Sequence, residues 1–356
     1  MTEADTLPEP DRREGAPHPR MAPRVFGHER ARAETGAALE GAMPHAWLLT
    51  GPEGVGKATF AWAFARRLLG EESDPDLAGR VRALSEPRLA LVRRGWDDKA
   101  KRLKTRITVD EVRKLRSFLS MSAADGGRRV IILDAADEMN ANAANAILKL
   151  LEEPPRDVVF LVICHNPSGL LPTIRSRCRT LRFDPLAAEH LGAAIEGAGL
   201  IIPDRIEALA ALSAGSVGRA AGLIEHDGLG LYDRLLGLLA TCPQLDRAAA
   251  LDLAGSVAGR GAEARRDLLL GLIDTALARL ARTGAGAPAG PPAAPAEAET
   301  FARLAPGPDA ARAWATLAQE SSERAAHALG VNLDPAGVIL DILLRINETA
   351  GRLSRP

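Results

Sequence analysis

One short glycine-rich segment contains the residue types that hold nucleotide phosphates. It is Gly51-Pro52-Glu53-Gly54-Val55-Gly56-Lys57-Ala58. In a working phosphate loop, the glycines let backbone N–H groups surround the phosphates, the lysine reaches their oxygens, and a following Ser or Thr ligates Mg²⁺. That last position is Ala58, and Thr59 would point about 100° away around a helix. The segment predicts a degenerate nucleotide site that could hold ATP or ADP, or else a turn that binds nothing.

The second half of such a site is an apolar strand that ends in an acid and is followed by a glutamate. Val130-Ile131-Ile132-Leu133-Asp134 supplies the strand and the acid, but the next residue is Ala135. Asp137 and Glu138 come later, where they fit a solvated helix start better than a catalytic base. The pattern predicts that the chain does not hydrolyse ATP by itself.

The flanking residues predict the elements that position this site. Residues 46–50 are typical of a buried strand, and residues 57–69 of a helix that ends at Gly70. Strands alternate with helices over residues 24–185, which favours an α/β domain with a parallel sheet.

A third segment, Thr173-Ile174-Arg175-Ser176-Arg177-Cys178, could act on phosphate in another way. It lies between a predicted strand at 158–163 and another at 180–183, so Arg177 is expected at a turn between packed elements. A guanidinium stays charged and presents a planar fork of donors, which suits developing phosphate charge. The alternative is that Arg175, Arg177 and Arg179 are merely a basic entry into a strand.

Three motifs together resemble the bacterial clamp-loader ATPase family of DNA polymerase III, a branch of the AAA+ superfamily. They are residues 134–137 (Asp-Ala-Ala-Asp), residues 143–155 ending in Leu-Leu-Glu-Glu-Pro-Pro, and Ser-Arg-Cys at 176–178. Ala58 and Ala135 combined with an intact Ser-Arg-Cys resemble the delta-prime branch rather than the gamma/tau subunits. The resemblance is dense over about residues 23–225 and thin beyond.

The resemblance implies an α/β P-loop AAA+ parallel-sheet domain with a helical lid, followed by an all-α collar domain. We place the nucleotide-binding-like domain at 23–185, the lid at 186–227 and the collar, through which subunits form a ring, at 228–356. Residues 1–22, rich in Pro, Glu and Arg, are predicted to be a disordered tail. Arg219 resembles a sensor that approaches nucleotide, although it is offset by one position and also fits a plain helix start.

The resemblance also implies a function. A delta-prime-like subunit assists ATP-driven loading of the sliding clamp onto primed DNA, and Arg177 matches the arginine finger that it supplies to a neighbouring motor subunit. The implied partners are the gamma/tau and delta subunits, the clamp and the backbone of primer-template DNA, within the DNA-directed DNA polymerase holoenzyme. The alternative is an active, gamma/tau-like DNA-dependent ATPase that uses Lys57, Asp134 and either Asp137 or Glu138.

Ten Lys or Arg residues against four acids lie between positions 93 and 116. The candidates for contact with DNA phosphates are Lys99, Lys101, Arg102, Lys104, Arg113 and Arg116. Asp110 is predicted to cap the helix that carries the last two, with Val112, Leu115 and Leu119 buried. Such contacts would be independent of sequence and sensitive to salt. The alternative is a solvated basic face.

Composition excludes several other classes. A net charge of −1 argues against a protein that coats nucleic acid, and no apolar run reaches membrane-spanning length. We therefore expect a cytoplasmic protein that does not enter a membrane. Many members of the family carry a four-cysteine zinc module, but residues 70–110 contain no Cys or His. No zinc is expected, because the site needs about four such ligands.

The carboxy-terminal part is predicted to be helical from residue 228 onward. Residues 283–298, rich in Gly, Ala and Pro, interrupt this pattern and are predicted to form a mobile loop. The last helix is expected over about 335–353 with a broad apolar face, which could serve the core of the domain or a subunit interface.

Overall fold

The structure is a computed structural model that describes residues 8–11, 18–22, 24–120, 127–259 and 261–354. The chain folds as two compact units. Unit 1 comprises residues up to 201 together with 216–218, and unit 2 comprises 202–215 and 219 onward. The division into domain, lid and collar stays a prediction.

Unit 1 is built on one parallel sheet of five strands. These are β1 (Ala46–Thr50), β2 (Leu89–Val92), β5 (Arg129–Leu133), β6 (Val158–Cys164) and β7 (Arg179–Arg182), in the spatial order β2-β5-β6-β1-β7. A separate antiparallel hairpin pairs β3 (Trp96–Asp97) with β4 (Arg102–Leu103). The predicted parallel sheet is confirmed, and the predicted strands agree with those observed to within one residue at either end.

Helices cover both faces of this sheet because its strands alternate their apolar side chains. Trp47 and Leu49 of β1 pack in one core cluster, while Ala46 and Leu48 pack in the other. The first cluster includes residues of α1 (Glu29–Glu40), α2 (Lys57–Leu69) and α3 (Leu77–Arg82). The second includes residues of α4 (Val109–Ser120), α5 (Ala141–Glu152) and α6 (Pro172–Arg175). The last helix of unit 1 is α7 (Ala188–Gly197).

The prediction that Asp110 caps α4 is wrong. Asp110 lies inside the first turn of α4 rather than before it. Thr108 precedes the helix, and both its backbone N–H and its hydroxyl donate to the Glu111 carboxylate. The buried carboxylate thus takes up a free donor at the helix start, which is the second half of a capping box.

The regular elements among the described residues of unit 2 are all helices. Its helices are α8 (Ile206–Ser213), most of α9 (Val217–Glu225), α10 (Gly228–Thr241), α11 (Arg247–Gly255), α12 (Glu263–Gly284), α13 (Glu297–Leu304), α14 (Pro308–Gly330) and α15 (Pro335–Leu353). The predicted last helix is therefore confirmed. Within the part of the chain that is described, no helix is both long and apolar enough to cross a membrane.

The connection between α12 and α13 has fixed partners, in contrast to the mobile loop predicted there. Ala293 and Ala294 are buried, and their backbone N–H groups donate to the Glu297 carboxylate at 2.6 and 3.1 Å. Arg279 forms a 2.7 Å ion pair with the same carboxylate and donates to the Pro291 carbonyl. Small residues thus pack around a buried ion pair that composition alone did not reveal.

Candidate functional site

The phosphate loop joins β1 to α2, and glycine at three positions, Gly51, Gly54 and Gly56, allows its backbone positive φ angles. Gly51 and Gly54 have φ angles of +147° and +80°, which side chains rarely adopt. A Cβ atom on Gly51 would lie 2.1 Å from the Phe183 carbonyl oxygen, and one on Gly54 would lie 2.0 Å from the Ser216 Oγ. The loop is therefore fitted closely against its surroundings.

Lys57 is the first residue of α2 and is almost fully buried, with 2% of its surface exposed. Its Nζ donates to the carbonyl oxygens of Gly51 and Pro52, at 2.5 Å each. Burial lowers the pKa of the ammonium group to about 8, although the nearby Asp134 carboxylate acts in the opposite direction. The lysine thus holds the loop closed at the position where phosphate oxygens would bind.

His28 supports the loop from outside, and sequence reasoning missed it. Its Nε2 lies 2.7 Å from the Val55 carbonyl oxygen, and its ring packs 4.7 Å from the ring of Phe183. Burial lowers the pKa of this imidazole. A single histidine just before α1 gives no signal in the sequence, because its partner is 27 residues away.

Asp134 follows β5 directly and is buried beside the loop. Burial raises the pKa of its carboxyl group to about 7, and the Asp11 carboxylate adds to that rise. The loop after β1 and the acid after β5 both lie at the carboxyl edge of the sheet, which is where open α/β sheets bind ligands.

The two later acids lie in the first turn of a short 3-10 helix over Ala136–Glu138, as expected, but they are partly buried and have protein partners rather than being solvated. Asp137 accepts hydrogen bonds from the backbone N–H groups of His165 and Asn166, at 3.0 and 2.9 Å. Glu138 forms a 2.8 Å ion pair with Arg94. Asp137 ties the turn after β5 to the turn after β6, a structural role that occupies both of its oxygens.

A cavity of about 370 Å³ lies over the phosphate loop within unit 1. Ala58, Asp134 and Ala135 line it, together with Val25 and Phe26 from the segment before α1. The loop and Lys57 have the residue types that bind nucleotide phosphates, and nucleotide binding here stays a prediction. The methyl groups of Ala58 and Ala135 stand where a Mg²⁺ ligand and a water-activating carboxylate would be needed.

Part of the predicted disordered tail also lines this cavity. Asp11 contributes to the wall, and Arg93 pairs with Asp11 and, at 2.9 Å, with Glu9. The buried imidazole of His18 lies 3.1 Å from the Asp11 carboxylate. Residues 8–11 and 18–22 therefore have defined contacts, whereas 1–7 and 12–17 lie outside the described residues.

Arg177 lies just beyond α6 and before β7, at the turn expected from the sequence. Its side chain is 35% exposed; Nη2 lies 2.8 Å from Glu152 Oε1, and Nη1 donates to the Thr173 carbonyl at 3.0 Å. The described residues that line the cavity do not include Arg177. The next residue, Cys178, is partly buried, and this burial raises the pKa of its thiol to about 12.

The predicted DNA-contact residues divide into two groups. Lys104 forms a 2.9 Å ion pair with Glu111, and Arg113 a 3.0 Å ion pair with Asp110. The other four are exposed, on or beside the β3–β4 hairpin or on α4: Lys99, Lys101, Arg102 and Arg116. Two of the six candidates thus already have ion-pair partners, and contact with DNA stays a prediction for all six.

Two further predictions stay open. Arg219 is exposed and belongs to unit 2, whereas Lys57 belongs to unit 1. Among the described residues, no group of three or more His, Cys, Asp or Glu side chains could hold a metal ion.

Comparison with known proteins finds similarity to subunits of DNA polymerase III. The family model described as "DNA polymerase III, delta subunit" matches residues 33–187. Over 179 residues the chain is 41% identical to DNA polymerase III subunit delta' of Pseudomonas aeruginosa, covering 48% of this chain and 53% of the relative. Over 229 residues it is 30% identical to subunit gamma/tau of Mycobacterium bovis, covering 60% and 36%. The matches thus span about half of these relatives' lengths or less.

A solved gamma subunit-related protein of Thermotoga maritima is 18% identical, with a TM-score of 0.41 and coverage of 91% of this chain and 99% of that one. The parallel sheet and the glycine-rich loop between β1 and α2 give unit 1 an α/β P-loop architecture, and the regular elements described in unit 2 are helices. Residues 33–187 of this chain are similar to the DNA polymerase III delta family, and its curated relatives include delta' and gamma/tau subunits.

Proposed function

We propose that this chain is a delta-prime-like subunit of the DNA polymerase III clamp loader and supplies Arg177 to the ATP site of a neighbouring motor subunit. The proposal rests on one contrast between two places in the chain. The chain's own phosphate loop has Ala58 in place of a Mg²⁺ ligand, whereas Arg177 is partly exposed at a turn fixed between α6 and β7. A guanidinium placed in this way can reach phosphate on another chain.

The partners of this proposal are the gamma/tau and delta subunits and the sliding clamp, and the process is loading of that clamp onto primed DNA. Relatives bearing the names of delta' and gamma/tau subunits support this assignment. The alternative, an active gamma/tau-like ATPase, is less well supported because Asp137 and Glu138 are already engaged by Asn166, His165 and Arg94. ATP turnover by the isolated chain above a Lys57→Ala control would favour that alternative.

The decisive experiment replaces Arg177 by Ala in a reconstituted loader and measures ATPase stimulated by DNA and clamp. An arginine finger contributes on the order of 10³-fold or more at the site it serves. The rate of the whole complex should fall less, because other sites keep their own fingers. Arg177→Lys should rescue poorly, because an ammonium lacks the planar fork.

Arg175 offers a matched control. It is the last residue of α6, two positions before Arg177, is exposed, and donates to the Pro167 carbonyl at 3.1 Å. Arg175→Ala removes the same charge and should leave ATPase and clamp loading close to wild type. Both variants should assemble, since an exposed ion pair contributes about 0–1 kcal/mol to folding. Equal rates for wild type and Arg177→Ala at equal assembly would refute the proposal.

The exposed basic residues are the part of the proposal that concerns DNA. Lys99, Lys101 and Arg102 lie together on the β3–β4 hairpin and can contact the backbone of primer-template DNA. Changing all three to Gln should weaken DNA binding by the loader for every sequence alike and reduce its dependence on salt. A titration at two salt concentrations that leaves affinity unchanged would assign this hairpin to a solvated face.

A further inference from the structure

The guanidinium of Arg177 is held by two partners from different elements. Glu152, the last residue of α5, approaches Nη2 to 2.8 Å, and the Thr173 carbonyl in α6 accepts from Nη1 at 3.0 Å. A guanidinium has five N–H donors, so this arrangement leaves three for another acceptor. The two contacts orient the guanidinium and leave three of its N–H groups to donate to another acceptor.

Such a tether matters because a long arginine side chain otherwise samples many rotamers. Binding phosphate requires the chain to adopt one of them, and the loss of freedom opposes the step. The ion pair is half exposed, with 35% of the Arg177 side chain and 42% of the Glu152 side chain accessible. An exposed pair of this kind is weak. Arg177 can therefore exchange part of it for phosphate without a large penalty.

We propose that Glu152 is a positioning residue for Arg177, which it holds in the orientation needed to reach the phosphates of the neighbouring subunit. This inference rests on the proposed function, because it assigns no role to Glu152 apart from Arg177. The competing role is a structural tie between α5 and the turn after α6.

The chain itself provides a matched control for Glu152. Glu153 is the next residue and is also exposed, but in the described structure the ion pair of Arg177 is with Glu152. Glu152→Gln and Glu153→Gln each remove one negative charge from the same helix end while keeping side-chain size. A general effect of charge at this surface would appear in both variants.

The experiment measures steady-state ATPase and pre-steady-state phosphate release in the reconstituted loader. Glu152→Gln should lower kcat at the served site by roughly three- to tenfold, since the donor is still present but less well oriented. KM for ATP and the thermal midpoint of the free chain should stay close to wild type. Glu153→Gln should match wild type in all of these measurements.

The double variant separates positioning from structure. In an Arg177→Ala background, Glu152→Gln should have no further effect, because the group that it positions is gone. The same loss in both backgrounds would overturn the inference in favour of a structural tie. The inference would also be overturned if the Glu152→Gln loader had wild-type or higher ATPase activity while Arg177→Ala still lowered that activity. If Arg177→Ala had no effect either, the proposed function itself would fail.

Discussion

The phosphate loop and the turn around Arg177 differ in how they combine packing with chemistry. The loop is closely packed, with Lys57 buried and Gly54 pressed against Ser216, yet Ala58 and Ala135 deprive it of catalytic groups. The Arg177 turn is exposed and weakly tethered, yet it carries a group suited to phosphate. The comparison teaches that close packing and the groups expected of an ATP site need not lie together: the packed loop has alanine at two such positions, while an arginine is partly exposed on a turn.

The largest effect should come from disturbing the scaffold. Gly54→Ala would place a methyl group 2.0 Å from the Ser216 Oγ at a φ of +80°. We expect destabilisation by about 2–4 kcal/mol from backbone strain and overpacking. Urea unfolding followed by the fluorescence of Trp47 and Trp62, both buried in unit 1, measures it.

Gly36→Ala is the control for that measurement. Gly36 lies in the interior of α1, and a Cβ there meets nothing within 4 Å. Alanine should therefore stabilise the helix by about 0.5–1 kcal/mol. Similar urea midpoints for Gly54→Ala and wild type would contradict the comparison of the loop with the Arg177 turn, because the loop would then not be closely packed.

A smaller effect would test whether the loop binds phosphate. With its pKa lowered to about 8, Lys57 is charged below that pH and neutral above it. Weak binding of ADP without Mg²⁺ should therefore weaken by about tenfold as the pH rises from 7 to 9. A fluorescent ADP analogue titrated at several pH values would report this.

Lys57→Ala provides the reference for the pH series. Its affinity should be lower than that of wild type and should change less over the same range, because Lys57 no longer titrates and Asp134, whose pKa is raised to about 7, still does. A wild-type affinity that does not change between pH 7 and 9 would show that Lys57 does not hold phosphate. The loop would then be a glycine-rich turn with a purely structural role.

The sequence predicted the elements around the site because their signals are local. Helix α2 begins at Lys57 and ends before Gly70 as expected, and the alternation of strands and helices gave the parallel sheet. The supports of the site depend on contacts between distant residues. His28 meets Val55 across 27 positions, and Asp137 meets Asn166 across 29. Neither partner has a type or spacing that marks it in a single sequence.

Partners that are distant in the sequence also explain the predictions that were wrong, namely the solvation of Asp137 and Glu138 and the mobile loop at 283–298. Asp137 and Glu138 have the residue types of a solvated helix start, and only the fold brings Arg94 and the turn after β6 to them. Residues 283–298 have the composition of a loop, but the buried Arg279–Glu297 pair holds the second half of that segment. The composition of a segment indicates what that segment can form alone. It does not indicate a partner elsewhere in the chain.

The burial of the cysteines has a practical consequence. Cys164, Cys178 and Cys242 are all wholly or partly buried, and burial raises the pKa of each thiol, to about 12, 12 and 11. Because the thiolate is the reactive form, all three should react slowly with maleimides at neutral pH. One new cysteine at an exposed position such as Glu153 would then outcompete them for label. The natural chain thus offers a nearly silent background for a fluorescent reporter placed beside Arg177.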